Sequence, residues 1–296
     1  MTRLLVFVFL LLASFTAGYH SPFLGADKSH LWPRDSISRI TTVPICFSDH
    51  RALELKHALE EGWSNWQKKI GLPSRSTGHS LQLKRYEIAM QPGYPYCRQG
   101  SGAWNNAVPN HVVEVKVAPA GEGCTSSLGY NDCGEPGRHY LTIDTVDSRI
   151  VNYYITHELG HTFGLLHEHS RSDRDTHTLF TCDALLDFTP KWAAARAEGH
   201  SKSSFCNDPD IADHYGFVAF GFHKETGFYP PEYDYNSVMH YSSFTGANRD
   251  LIISDRDNMD NYPLVKVQGG VRSLIPRRWG GEVKVSEGDG EGVRRL

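Results

Sequence analysis

After residue 15 the chain has no apolar run long enough to span a bilayer, which excludes a later transmembrane helix. It also lacks an excess of either charge: 30 Lys and Arg stand against 34 Asp and Glu, for a net charge of −4 at pH 7. The two signs are intermixed, so no basic face invites nucleic acid or an anionic membrane. There is no Asn-x-Ser/Thr acceptor, and N-glycosylation is not expected. No internal repeat and no low-complexity tract is present, which argues against a solenoid or a disordered chain. The six cysteines are dispersed and contain no C-x-x-C pair of the kind that closes a zinc knuckle.

What is present begins with residues 1–18. Arg3 forms a weak positive start, Leu4 to Phe15 are nearly all apolar, and Thr16-Ala17-Gly18 offers small residues for cleavage. This is the pattern of a secretory signal peptide, and it predicts a secreted, extracellular protein with no stable membrane association after cleavage. Residues 19–38 read as a short pro-segment or a mobile N-terminus. An even cysteine count fits an oxidising compartment and up to three disulfides. Six cysteines allow 15 pairings. Short loop length favours Cys124–Cys133 and Cys182–Cys206.

Residues 39–296 read as one catalytic-size domain in two parts. Ile40 to Phe47 is β-rich, although Pro44 predicts an edge position or a strand end. Asp49 is placed to cap a helix over Arg51 to Ile70, where Leu55, Leu59, Trp63, Trp66 and Ile70 form an apolar stripe. Leu81 to Met90, Val112 to Val117 and His139 to Ile143 read as strands; in the second, valines alternate with Glu114 and Lys116. A second long helix starts at Asp147 or Ser148. Strands mixed with two long helices, without regular βαβ alternation, predict an α+β fold. After about residue 166 the periodicity weakens, apart from a short helix near Lys191 to Ala197.

The second long helix carries the chemistry. His157-Glu158-Leu159-Gly160-His161 puts both imidazoles on one face, since residues four apart lie one above the other. Glu158 is rotated off that face and can reach a water held there. Gly164 supplies a helix stop, and the turn would swing His167 back as a third ligand. Three histidines leave one coordination position open, the arrangement of a catalytic zinc site rather than a structural one. The alternative is a buried helix whose histidines fall at these spacings by coincidence. Five fixed identities weigh against it.

With His157 to Glu168, this chain resembles the astacin family of metzincin metalloproteases, in which a glutamate follows the third histidine. His169-Ser170-Arg171-Ser172-Asp173-Arg174-Asp175 is similar to the family's continuation, and Tyr233 to Tyr241 contains its Ser-x-Met-His-Tyr turn. Gly123-Cys124-Thr125-Ser126-Ser127-Leu128-Gly129 is similar to a third family stretch. Leu31-Trp32-Pro33 and the region from Ser286 echo the family's two boundaries.

The resemblance implies a zincin-like fold with an N-terminal mixed β-sheet plus two long helices, an irregular C-terminal subdomain and an active-site cleft between them. It implies one Zn2+ per chain, held by His157, His161 and His167, with Glu158 as general base. Tyr241 would reach the metal at rest and assist the transition state, and Met239 would floor the site. It further implies that Glu168 pairs with a buried mature N-terminus. Phe23-Leu24-Gly25-Ala26-Asp27 is one residue longer than the family's inhibitory aspartate motif, so a mobile tail is the preferred reading there. Family members carry a cysteine shortly before the zinc helix; Ile143 to Thr156 has none. The expected activity is hydrolysis of extracellular proteins or peptides by a monomeric zinc endopeptidase. The alternative is a catalytically silent secreted zinc-binding protein on a protease scaffold.

Overall fold

In a computed structural model, residues 30–86, 96–227, 229–277 and 281–296 are described. The signal-peptide reading, the 19–29 segment with Asp27 and the end of the strand expected to Met90 lie outside them. The first half is built on β1 (Thr41–Phe47), α1 (His50–Leu53), α2 (Lys56–Ile70), β2 (Leu81–Arg85), β3 (Val113–Val117), β4 (Thr125–Ser126), β5 (Tyr140–Ile143) and α3 (Val151–Phe163). The five strands form one sheet in the order β2-β1-β3-β5-β4. All pairings are parallel except β4 with β5, which makes β4 an antiparallel edge.

Pro44 therefore sits inside the sheet and not at its edge. The backbone shows why this is tolerated. Thr41 N–H and Ile45 C=O bond toward the β2 side, so Pro44, between them in the alternation, faces β3. Pairing with β3 begins only at Ile45, opposite Val113, and the missing N–H falls where no partner strand yet runs.

The alternation expected in β3 also fails. Glu114 is fully buried, because a mainly parallel sheet is covered on both faces. Its charge is met by Arg98, which donates from Nε and Nη2 at 2.5 and 2.8 Å.

The apolar stripe of the first long helix behaves as expected: Leu55, Leu59, Trp66 and Ile70 are buried. The helix itself is split. Asp49 caps it through Ala52 N–H at 2.9 Å, but Leu55 N–H bonds to Ala52 C=O, a tightened turn that separates α1 from α2. The helix expected from Asp147 or Ser148 starts at Val151 instead, since Asp147 is engaged by Arg149. α2 packs on α3, where Trp66 Nε1–H donates to Thr156 C=O at 2.9 Å and Asn65 reaches Thr156 Oγ1 at 3.1 Å.

The second half holds more order than its sequence indicated. It contains β6 (Thr178–Phe180), α4 (Phe188–Ala197), α5 (Lys202–Asn207), α6 (Pro209–His214), α7 (Arg249–Ser254), β7 (Leu264–Gln268), β8 (Val271–Leu274) and α8 (Glu287–Arg295). β6, β7 and β8 form a small antiparallel sheet. A separate core lies around Leu185, Phe205, Phe217, Phe222 and Leu264, with Phe205 and Phe217 stacked at 4.3 Å. α8 returns to the first half and docks on α2: Lys69 Nζ meets Glu287 Oε1 at 2.5 Å and Arg294 donates to Lys69 C=O at 3.4 Å.

Cys182–Cys206 is a disulfide, as short loop length favoured. Cys124–Cys133 is not. The other bridge is Cys46–Cys97, and Cys124 and Cys133 are free. Cys97 is carried to the end of β1 by its N–H bond to Phe47 C=O at 2.8 Å, a contact that loop length does not reveal. Cys124 Sγ instead accepts from Asp144 N–H at 3.2 Å.

Candidate active site

α3 presents the site because its two faces do different work. Ile155, Leu159 and Phe163 are buried in the main core, with Phe163 edge-on to Trp66 at 5.5 Å. His157 and His161 point from the adjoining face. Gly164 ends the helix at φ +116°, a left-handed conformation that side chains disfavour, and its N–H bonds back to His161 C=O at 2.8 Å. The chain then reverses and brings His167 onto the pair.

The three imidazoles converge through their Nε2 atoms. His167 Nε2 lies 3.2 Å from that of His157 and 3.0 Å from that of His161. Each helix histidine has its other nitrogen on a carbonyl: His157 Nδ1 on Val238 O at 2.7 Å, His161 Nδ1 on Leu165 O at 2.8 Å. A carbonyl only accepts, so both Nδ1 atoms carry the proton and both Nε2 atoms present lone pairs. Burial, followed by the neighbouring His157, pushes His161 down to about 3, and burial holds His167 well below its ordinary value. With its own Nε2 lone pair turned the same way, His167 would complete a three-nitrogen cradle for a cation. The nitrogen spacing is close to the roughly 3.3 Å edge of a tetrahedron with Zn–N bonds of about 2.0–2.1 Å. The residues fit zinc.

Glu158 is buried beside them. Ser126 Oγ shares its hydrogen between Glu158 Oε2 at 2.7 Å and Glu158 C=O at 2.9 Å. Burial raises the carboxyl above its ordinary pKa, while His157 and the Ser126 bond pull the other way. Ser126 belongs to edge strand β4, so one hydroxyl joins that edge to the acid on α3. Ser126 lies within a motif legible in the sequence, yet nothing there gives it a role; its partner is 32 residues away.

Met239 and Tyr241 come from the turn beneath. Met239 is buried against α3 at Gly160, where an added Cβ would lie 2.4 Å from Met239 Sδ. Tyr241 has its ring 4.7 Å from His167 and stacked on His169 at 3.9 Å; burial raises its phenol. Among the described residues, the five predicted site residues thus gather in one place. Glu168 is buried and satisfied from within: Oε1 accepts from Asp234 N–H at 2.8 Å and from Arg171 at 3.2 Å. Burial lifts its carboxyl to about 7.

Comparison with known proteins agrees with this geometry. Residues 103–196 match the family model described as Astacin, a peptidase family, and they include the histidine motif. Over these residues the chain is similar to the astacin family. Among its relatives, low choriolytic enzyme of Oryzias latipes is 29% identical over 218 residues, covering 73% of this chain and 56% of that protein. Zinc metalloproteinase dpy-31 of Caenorhabditis elegans is 30% identical over 135 residues, 45% of this chain and 17% of the relative. The chain thus spans less than two thirds of the length of these relatives. Among solved structures, high choriolytic enzyme 1, a hatching enzyme zinc-protease from Oryzias latipes, superposes with a TM-score of 0.51 at 17% identity, covering 90% of this chain and 92% of that one. This likeness shows a shared fold of mixed α and β elements.

Proposed function

We propose that the chain is a secreted zinc endopeptidase acting on extracellular proteins or peptides. The observation that carries this reading is the convergence of three Nε2 atoms beside a buried carboxylate that a second element holds in place. His157, His161 and His167 would hold one Zn2+, with Tyr241 within reach. When bound, the ion would polarise the scissile carbonyl and acidify a water. Glu158, with its raised proton affinity, takes the proton of the attacking water and passes it to the leaving amine. The Tyr241 hydroxyl donates a hydrogen bond to the oxyanion as it develops. An extended substrate would add to the β4 edge near Cys124 to Gly129, in register with Ser126. Residues 1–18 would act as signal peptide, residues 19–38 as pro-segment or mobile terminus, and residues 39–296 as a monomeric catalytic domain. No nucleic-acid partner is proposed. Among the described residues no helix is long and apolar enough to cross a membrane.

The test is cleavage of an unfolded protein substrate by the processed chain, beside a chelated sample and the Glu158→Gln variant. Loss in both controls, with zinc restoring the chelated sample, is the expected result. A chain that binds zinc but cleaves nothing would instead be a zinc-binding protein on a protease scaffold.

A further inference from the structure

The carboxylate of Asp289, on α8, is buried and receives three hydrogen bonds: from Ser237 Oγ at 2.5 Å, Val238 N–H at 2.9 Å and Ser286 N–H at 2.9 Å. Ser237 Oγ in turn accepts Met239 N–H at 2.9 Å. A peptide unit is planar, so its N–H and C=O turn together. The unit joining Val238 to Met239 therefore has its N–H tied, through the Ser237 hydroxyl, to Asp289. The C=O of the same unit accepts His157 Nδ1 at 2.7 Å. One residue on, Met239 C=O accepts Glu168 N–H at 3.1 Å, next to His167.

We propose that Asp289 is a positioning residue for the metal centre: through Ser237 it sets the Val238–Met239 peptide plane, and that plane sets the ring orientation and tautomer of His157. The inference rests on reading the three histidines as metal ligands. Burying a carboxylate is costly unless donors surround it. Here those donors belong mostly to the turn that carries the ligand's acceptor. Removing the acceptor role of Asp289 frees Ser237 to re-pair and lets the peptide plane rotate, and His157 loses its fixed partner. Contacts of this kind around a metal ligand change affinity by about 10–100-fold when lost.

The experiment measures zinc affinity by competition with a chelating dye, the visible absorption of the cobalt-substituted protein, and thermal unfolding of the metal-free chain. Asp289→Asn is compared with Glu114→Gln, which alters a buried carboxylate of the first sheet away from the histidines. The expected result is zinc binding about 10–100-fold weaker in Asp289→Asn, with shifted cobalt bands. Glu114→Gln should melt lower yet keep wild-type affinity and bands. Ser237→Ala leaves Asp289 paired with Val238 and Ser286 but removes the acceptor of Met239 N–H, and should shift affinity and bands the same way, so the link is testable even where Asp289→Asn does not fold. Wild-type affinity and bands in both Asp289→Asn and Ser237→Ala would overturn the proposal and leave Asp289 a purely structural group. Absence of stoichiometric zinc in the unaltered chain would remove the metal-site reading itself, before any variant is compared.

Discussion

The two halves of the molecule contribute to one site by different means. From the first half come His157, Glu158 and His161, consecutive turns of a helix whose other face is locked against Trp66 and the sheet. From the second come Met239 and Tyr241, on a turn with no regular structure, held by Asp289, Ser237 and Glu168 through individual hydrogen bonds. A helix fixes many side chains with one periodic interaction, whereas a turn needs a separate partner for nearly every group. The carboxylate proposed to act as base therefore sits on the rigid half, and the phenol proposed to assist it on the half whose geometry is assembled bond by bond.

Substitutions can break or sharpen that contrast. The largest effect should follow Glu158→Gln, which lowers turnover by about 10³–10⁴-fold while zinc content, measured by atomic absorption, stays near one per chain. On the other half, Tyr241→Phe should lower turnover by about 10²-fold, also with zinc retained. An equal or greater loss from Tyr241→Phe would reverse the assignment of the main role to the helix.

A pH measurement on one variant probes the first half. His139 is buried against Trp32 and Tyr130, and burial pushes it down to about 4 from 6.5. Between those values the unfolded chain takes up a proton that the folded chain refuses. Stability from this group is then complete above about pH 6.5 and is lost as pH falls toward 4, on the order of 2–3 kcal/mol. Denaturant titrations of the metal-free chain across that range should show the decline, to which His161 and His167 add, and His139→Gln should make it shallower; an unchanged slope in the variant would assign the acid loss elsewhere. The smallest effect should come from the contact between halves. Gly160→Ala forces Met239 and Trp66 to shift, at a net cost of about 1–2 kcal/mol once the gain in helix propensity is included. A lower melting temperature checks this, and an unchanged one would mean that the turn yields freely to the helix.

The same contrast explains what could be read from the chain. His157, His161, His167 and the stripe of α2 were legible because helical spacing is local and repeats. The Pro44 position, the Glu114 burial and the Cys46–Cys97 bridge were not, since each depends on which strand or loop arrives from far away. The small sheet of β6, β7 and β8 was also missed. Its first strand is three residues long and its partners follow more than 80 residues later, too little pattern to register. Ser126 and Asp289 lay within recognised stretches, but nothing along the chain says that one touches Glu158 and the other Val238.

The docking of α8 on α2 also bears on how the molecule comes to be folded. Lys69 and Glu287 are 218 residues apart, and closing a flexible loop of that length costs roughly 5 kcal/mol of chain entropy. Local helices form in microseconds, but contacts of such separation wait for most of the chain to be in place. During synthesis the histidine helix can therefore exist well before the buried carboxylate that fastens the turn beneath it. Completion of the histidine cluster is tied to the arrival of α8, and a chain made only as far as α3 and its turn holds the three imidazoles without Met239 beneath them.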